Sequence, residues 1–208
     1  MFALSLTNML GAVVLFCAFL QIAQRRLSAL LKLSQLAAVA LGLMAIGEGY
    51  SQHQWPFYAA GGLILIGQAV LWPLIIRRMS RAREEVTQVV PRVGAMLVGL
   101  LPICVAMTGV LPATATPLLQ QAGLMAMALA VILLGVWLMI IQNQPLAQIS
   151  GFLVLENGLV MALINTPNLG WAADVGIFAL LVIAVSVALI GGWRYQLLAA
   201  APVDGAEL

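Results

Sequence analysis

Apolar residues run along this chain in long blocks, with polar and helix-breaking residues gathered between them. Seven blocks stand out, near 4–24, 30–50, 57–76, 93–111, 119–141, 147–166 and 172–193. Each approaches the roughly 20 residues that an α-helix needs to cross a hydrocarbon core about 30 Å thick. The breaks are built from turn formers: Gln54-Trp55-Pro56 before the third block and Pro112 through Pro117 between the fourth and fifth. Gln142-Asn143-Gln144-Pro145 precedes the sixth block, and Asn165-Thr166-Pro167-Asn168 follows it. The pattern predicts an all-α, polytopic membrane protein of about seven transmembrane helices.

Composition agrees. Hydrophobic residues make up 63% of the chain and charged residues 8%, against about 25% charged in a soluble domain. So little charge cannot cover a water-facing surface. The net charge of +2 is too small to suggest nucleic acid. Cys17 and Cys104 both fall inside apolar runs and read as small packed hydrophobes; neither a disulfide nor a metal site is expected of them. The first block is too long for a signal-peptide core and is followed by further blocks, so it is expected to be retained as a helix.

The basic residues set an orientation. Arg25, Arg26 and Lys32 lie at the first connection, Arg77, Arg78, Arg81, Arg83 and Arg92 at the third, and Arg194 after the seventh block. With seven spans all of them fall on one side, which the positive-inside rule makes cytoplasmic. The N-terminus is then expected outside, and the tail bearing Asp204 and Glu207 inside. Trp55, Trp171 and Tyr50 fall where an outer aromatic belt belongs, with Trp72 and Trp193 near the inner face. The cluster Arg77, Arg78, Arg81 and Arg83 has two readings: an ordinary positive-inside loop, or a contact for anionic lipid or a cytoplasmic subunit.

Glu156 is the chemical anomaly. It lies about nine residues into the sixth block, hence roughly 13 Å deep at 1.5 Å per residue. A carboxylate there costs roughly 2.5–3.5 kcal/mol on insertion scales, so it persists only if protonated, paired or wetted. On a helical wheel Gly151, Gly158 and Ala162 share one face, where a neighbouring helix can approach closely. Glu156 points nearly the opposite way, toward a different helix contact or a wet cavity, and Asn157 adds a second polar group. Two roles stay open for Glu156: a proton or ion site, or a neutral interhelical hydrogen-bond donor.

The other polar groups at depth are more ambiguous. Asp174, near the outer end of the seventh block, is either an interfacial residue or the outer member of a carboxylate pair. Helix rise places it on the order of 10 Å from Glu156 along the membrane normal. Glu48, at the outer end of the second block, has the same two readings. Lys32 can snorkel to the cytoplasmic face. Gln68, near the centre of the third block, must find a partner. Pro73 and Pro102 are expected to kink their helices. His53 sits in a short outer loop, where a lone histidine is rarely a ligand.

Catalytic motifs are missing: the chain has no G-x-S-x-G, H-E-x-x-H or P-loop. Its one lysine, Lys32, is not in the last block, which argues against a retinal Schiff base.

The segment from Gln142 to Gly158 resembles NuoK-like small subunits of complex I and MrpC-type antiporter subunits. In these a short polar cytoplasmic loop precedes a helix bearing a central Glu, and a second acid lies in the next helix. The loop Gln142-Asn143-Gln144-Pro145, then Glu156, then Asp174 fits that order. Over essentially the whole chain the resemblance is to the hydrogenase-4 component E (HyfE-like) family. Gly151-Phe152-Leu153-Val154-Leu155-Glu156-Asn157-Gly158 resembles its G-(F/Y)-x-x-x-E-N-G signature, and Leu71-Trp72-Pro73-Leu74-Ile75 a leucine- and proline-bearing stretch of its third helix. The chain departs from the family in having no arginine in the loop 142–148 and in carrying Gln68 where a lysine is usual. An internal echo accompanies the match: Gln24-Arg25-Arg26 and the second block parallel Gln142-Asn143-Gln144 and the sixth, with Ala38 in the place of Glu156.

The resemblance implies an N-terminal four-helix region over 1–113, a NuoK-like three-helix unit over 114–196 and a cytoplasmic tail over 197–208. It implies a non-catalytic subunit, without cofactor or metal, in the membrane arm of a complex I-related or group 4 hydrogenase-type assembly of the bacterial inner membrane. Partners would be antiporter-like and other membrane-arm subunits. Glu156 and Asp174 would serve proton or Na+ translocation, supported by Asn157, Gln68, Lys32 and Glu48. Two further readings remain: a scaffold subunit of such an arm, and a free-standing ion-coupled transporter.

Overall fold

Helices dominate because the blocks contain little that would stop them. The computed structural model describes residues 2–24, 26–53, 55–71, 74, 91–110, 119–143, 145–166 and 176. Among these no strand occurs, and six helices follow in order: α1 (Phe2–Ala23), α2 (Leu27–Gln52), α3 (Trp55–Ile64), α4 (Arg92–Val110), α5 (Leu119–Ile141) and α6 (Pro145–Ile164). α3 runs on into a π-helical segment, Leu65–Leu71. The expected seventh span, Asp174, Arg25, Arg194, the arginines Arg77, Arg78, Arg81 and Arg83, and the tail lie outside the described residues.

Four helices, α1, α2, α5 and α6, are long and apolar enough to cross a membrane. Shorter apolar stretches cover Trp55–Val70 and Val93–Thr108. Outward faces are apolar too: Met9 and Phe16 on α1, Ile66 and Val70 on the π-helical segment, and Leu97, Leu101 and Val105 on α4 are exposed. Apolar surface repeated over several helices is unfavourable in water and suits a lipid environment. Tyr50 and Trp55 are strongly exposed at the α2–α3 end, where the sequence placed an aromatic belt.

The helices alternate in direction. On α5 and α6, position 158 faces 128 and 132, 155 faces 135, and 151 faces 139, an antiparallel register. α4 runs antiparallel to α5, with Trp137 Nε1 donating to the Ala95 carbonyl at 3.0 Å and Gly99 near Leu134. α2 and α3 cross where Gly42 meets the Gly61 carbonyl and Leu65. α1 packs against α2, α4 and α5, and touches α6. Gly11 of α1 meets Leu124, and Ile22 approaches the Gly99 and Leu134 region, so α1 and α5 run parallel. The α1–α2 and α5–α6 connections therefore share one end of the bundle. Arg26 and Gln142, one in each connection, both form an isolated backbone bridge.

Two helix features follow from local chemistry. α2 stops at His53, whose left-handed backbone (φ 51°) returns its N–H to the Gly49 carbonyl. That geometry is the usual C-terminal stop, more often supplied by glycine. Pro102 sits inside α4 without ending it.

Candidate functional site

The E-N-G stretch is positioned by the helix it shares with two glycines. A Cβ at Gly151 would meet the Met139 backbone N and the Gly135 carbonyl, and one at Gly158 would meet the Ile132 N and the Ala128 carbonyl. On the facing helix, a Cβ at Gly135 would run into the Leu155 backbone. The two helices thus touch through their main chains, as the small-residue face allows. This contact fixes the rotation of α6 and turns Glu156 away from α5.

Glu156 is fully buried, at 0% exposure. The side chain that faces its carboxyl is Gln68, itself buried, from the π-helical segment. The two do not reach hydrogen-bond geometry: both Glu156 oxygens and Gln68 Nε2 are without a hydrogen-bond partner among the described residues. Asn157, one position on and also buried, has its Oδ1 in the same condition. Leu163, two turns from Glu156 on the same face, lies beside Gly176.

Gln68 is held there by a feature the sequence reading did not single out. Gln35 of α2 donates from Nε2 to the Ala69 carbonyl at 2.9 Å. In an α-helix that carbonyl would accept from the N–H four residues on, but position 73 is proline and has none. Gln35 supplies a donor to that carbonyl and ties the π-helical segment to α2. Pro73 was the available signal, because it frees the Ala69 carbonyl in any helical register that needs residue 73 as donor.

The remaining expected residues fall elsewhere. Glu48 lies at the far end of α2, partly buried, accepting from Thr7 Oγ1 and Ser51 Oγ, each at 3.2 Å. It joins α2 to Thr7 of α1 and is not brought to Glu156. Lys32 is exposed near the start of α2 and stays out of the buried cluster, as a snorkelling lysine would. Ala38, the echo of Glu156, is fully buried on α2.

Chemically, the site is a carboxyl group with two amides beside it in an apolar bundle. An isolated ionised carboxylate in such surroundings is costly, whereas the neutral acid is tolerated. Polar groups of this kind become stable as an anion only when a donor or water reaches them. The arrangement can hold a proton and release it when its surroundings change. Comparison with known proteins adds no family: no family model, no curated protein and no solved structure matches the chain. What fold and site define is a class, an all-helical bundle with membrane-length helices and a buried carboxyl at mid-bundle.

Proposed function

We propose that this chain is a membrane-arm subunit of a complex I-related or group 4 hydrogenase-type respiratory assembly, akin to the hydrogenase-4 component E family. Glu156 is its proton (or Na+) station, and redox chemistry belongs to other subunits. The observation that supports this reading most is the fully buried Glu156 facing Gln68 without a closed hydrogen bond. A purely structural carboxyl would be expected to have its donors and acceptors satisfied. In this reading the chain crosses a bacterial inner membrane seven times, N-terminus outside and C-terminus in the cytoplasm. Antiporter-like subunits flank it, Asp174 serves as the outer acid, and Arg77, Arg78, Arg81 and Arg83 meet cytoplasmic subunits or lipid.

One observation favours a second reading, a scaffold subunit of the same kind of arm. Glu156 faces a neutral amide in place of the lysine that the resemblance leads one to expect, so this copy's path is incomplete by itself. A tagged chain purified in mild detergent separates both readings from a free-standing transporter. Co-purification with large antiporter-like subunits is expected, and a homogeneous protein of this chain alone contradicts the arm. Within the arm, Glu156→Gln separates station from scaffold, because a scaffold keeps full ion coupling.

A further inference from the structure

Buried polar atoms without a hydrogen-bond partner among the described residues are Gln21 Nε2, Gln68 Nε2, Gln142 Nε2 and Oε1, both Glu156 oxygens and Asn157 Oδ1. They are not scattered. All lie at about the level of Glu156 or between it and the end of the bundle that carries the α1–α2 and α5–α6 connections. In the opposite half the buried polar side chains Thr7 and Asn165 are bonded, Thr7 to Glu48 and Asn165 Nδ2 to the Met161 carbonyl at 2.7 Å.

Helix register puts these atoms in a sequence. Gln142 is buried at the start of the α5–α6 connection, with Gln148 Nε2 donating to its carbonyl at 2.8 Å. Gln21 is paired with Ser34, whose Oγ donates to Gln21 Oε1 at 3.4 Å. Gly11 meets Met161, and α1 runs antiparallel to α6, so Gln21 falls level with residue 151, between Gln148 and Glu156. From Gln148 to Glu156 the rise is about 12 Å, divided by Gln21 into steps of about 4.5 and 7.5 Å. Measured along the bundle axis, each step is short enough for one or two water molecules. Glutamines acting only as interhelical glue would close bonds to one another or to backbone, and these have atoms left over. The lining groups before Glu156 are neutral amides and a hydroxyl, which can donate to and accept from water.

We infer that Gln142, Gln21, Ser34, Gln68 and Asn157 line a water-binding file that opens at the α1–α2 end and stops at Glu156, giving the carboxyl access to one side only. As a supply of protons it rests on the reading of Glu156 above; as a hydrated file it stands on the orphaned amides.

The test uses the full chain in its native membrane. In a background of Cys17→Ala and Cys104→Ala, three single-cysteine variants are exposed to a charged, membrane-impermeant methanethiosulfonate from each face: Arg26→Cys, Ser34→Cys and Ala45→Cys. Ser34→Cys is expected to react from the same face as Arg26→Cys, several-fold faster than Ala45→Cys, which lies in the opposite half and reacts from neither. Ser34→Cys as silent as Ala45→Cys overturns the file. Should the variants not assemble, hydroxyl-radical footprinting of the unmodified protein decides. Cys17, one turn from Gln21 on the same face of α1, is expected to oxidise well above the level of buried Met44, each relative to its rate in the unfolded chain. Equal protection of the two overturns the proposal. Ion coupling of Glu156→Gln is read separately. Coupling lost with Ser34→Cys silent removes the file and keeps the station; coupling kept with Ser34→Cys reactive does the reverse.

Discussion

A carboxyl group at 0% exposure among apolar helices has few stable states, and its neighbours decide which. Gln68 is the nearest lever. Replacing it by leucine removes the polar side chain that, among the described residues, faces Glu156, and ion-coupled activity is expected to fall severalfold while the assembly persists, as measured by gradient formation in membrane vesicles. Unchanged activity in Gln68→Leu would show that the two side chains do not work together. Gln35 acts a step further back. Gln35→Leu removes the side-chain donor to a part-buried carbonyl, at a cost of about 0.5–1.5 kcal/mol, read as earlier unfolding in mixed micelles. The π-helical turn loses its tie to α2 at the same time, so activity should drop together with that of Gln68→Leu. Glu156 was legible in the sequence because a lone acid in an apolar block is expensive wherever the helix points. Its partner was not. Gln68 and Glu156 were each seen to need one, but their meeting depends on the rotation of two helices. Gln35 was invisible for the same reason: its hydrogen bond spans two helices, and only Pro73 hinted at a vacant acceptor.

At the scale of the element, the α5–α6 contact is set by backbone proximity. Gly158→Val places a Cβ against the Ile132 N and the Ala128 carbonyl, at 2.7 and 2.9 Å, where only main-chain movement makes room. A loss of about 1–3 kcal/mol is expected in unfolding experiments. Gly62→Ala, inside α3 where a Cβ meets nothing within 4 Å, serves as the control and is expected to match the parent or gain up to about 1 kcal/mol. The end of α2 offers the opposite sign. His53 holds a left-handed backbone that costs a non-glycine residue roughly 1–2 kcal/mol, offset in part by the roughly 0.5–1 kcal/mol of extra freedom glycine loses on folding. His53→Gly should therefore leave stability unchanged or raise it by up to about 1.5 kcal/mol; a clear loss would mean that the His53 side chain holds the helix end. The helices themselves were legible from block length and breakers, and the α2, α5 and α6 boundaries fall within a few residues of the expected ones. The sequence also showed the small face of α6. It could not show that α5 fills it, since any neighbouring helix would satisfy the pattern. Nor could it show that the third block turns from α-helix to π-helix at Leu65, because apolar periodicity is too coarse to register one extra residue in a turn.

For the whole molecule, alternation of the six described helices agrees with the up-and-down plan drawn from the blocks, and the shared end of the α1–α2 and α5–α6 connections agrees with the internal echo. The plan places Arg26 and Lys32 at the same end as Gln142, which the positive-inside rule would make cytoplasmic. Reporter fusions at the C-terminus check the odd number of spans: a fluorescent protein there should fluoresce, and alkaline phosphatase should be inactive. An active phosphatase contradicts the seven-span orientation. In the proposed function Glu156 is a group that exchanges its proton during turnover. The most direct measurement is the ion gradient formed per redox turnover by inverted membrane vesicles carrying the intact assembly, with Glu156 or with Glu156→Gln. The expected result is an assembled complex whose electron flow forms little or no gradient when the carboxyl is replaced by the amide. A Glu156→Gln complex that builds the full gradient at the parent ratio would contradict it.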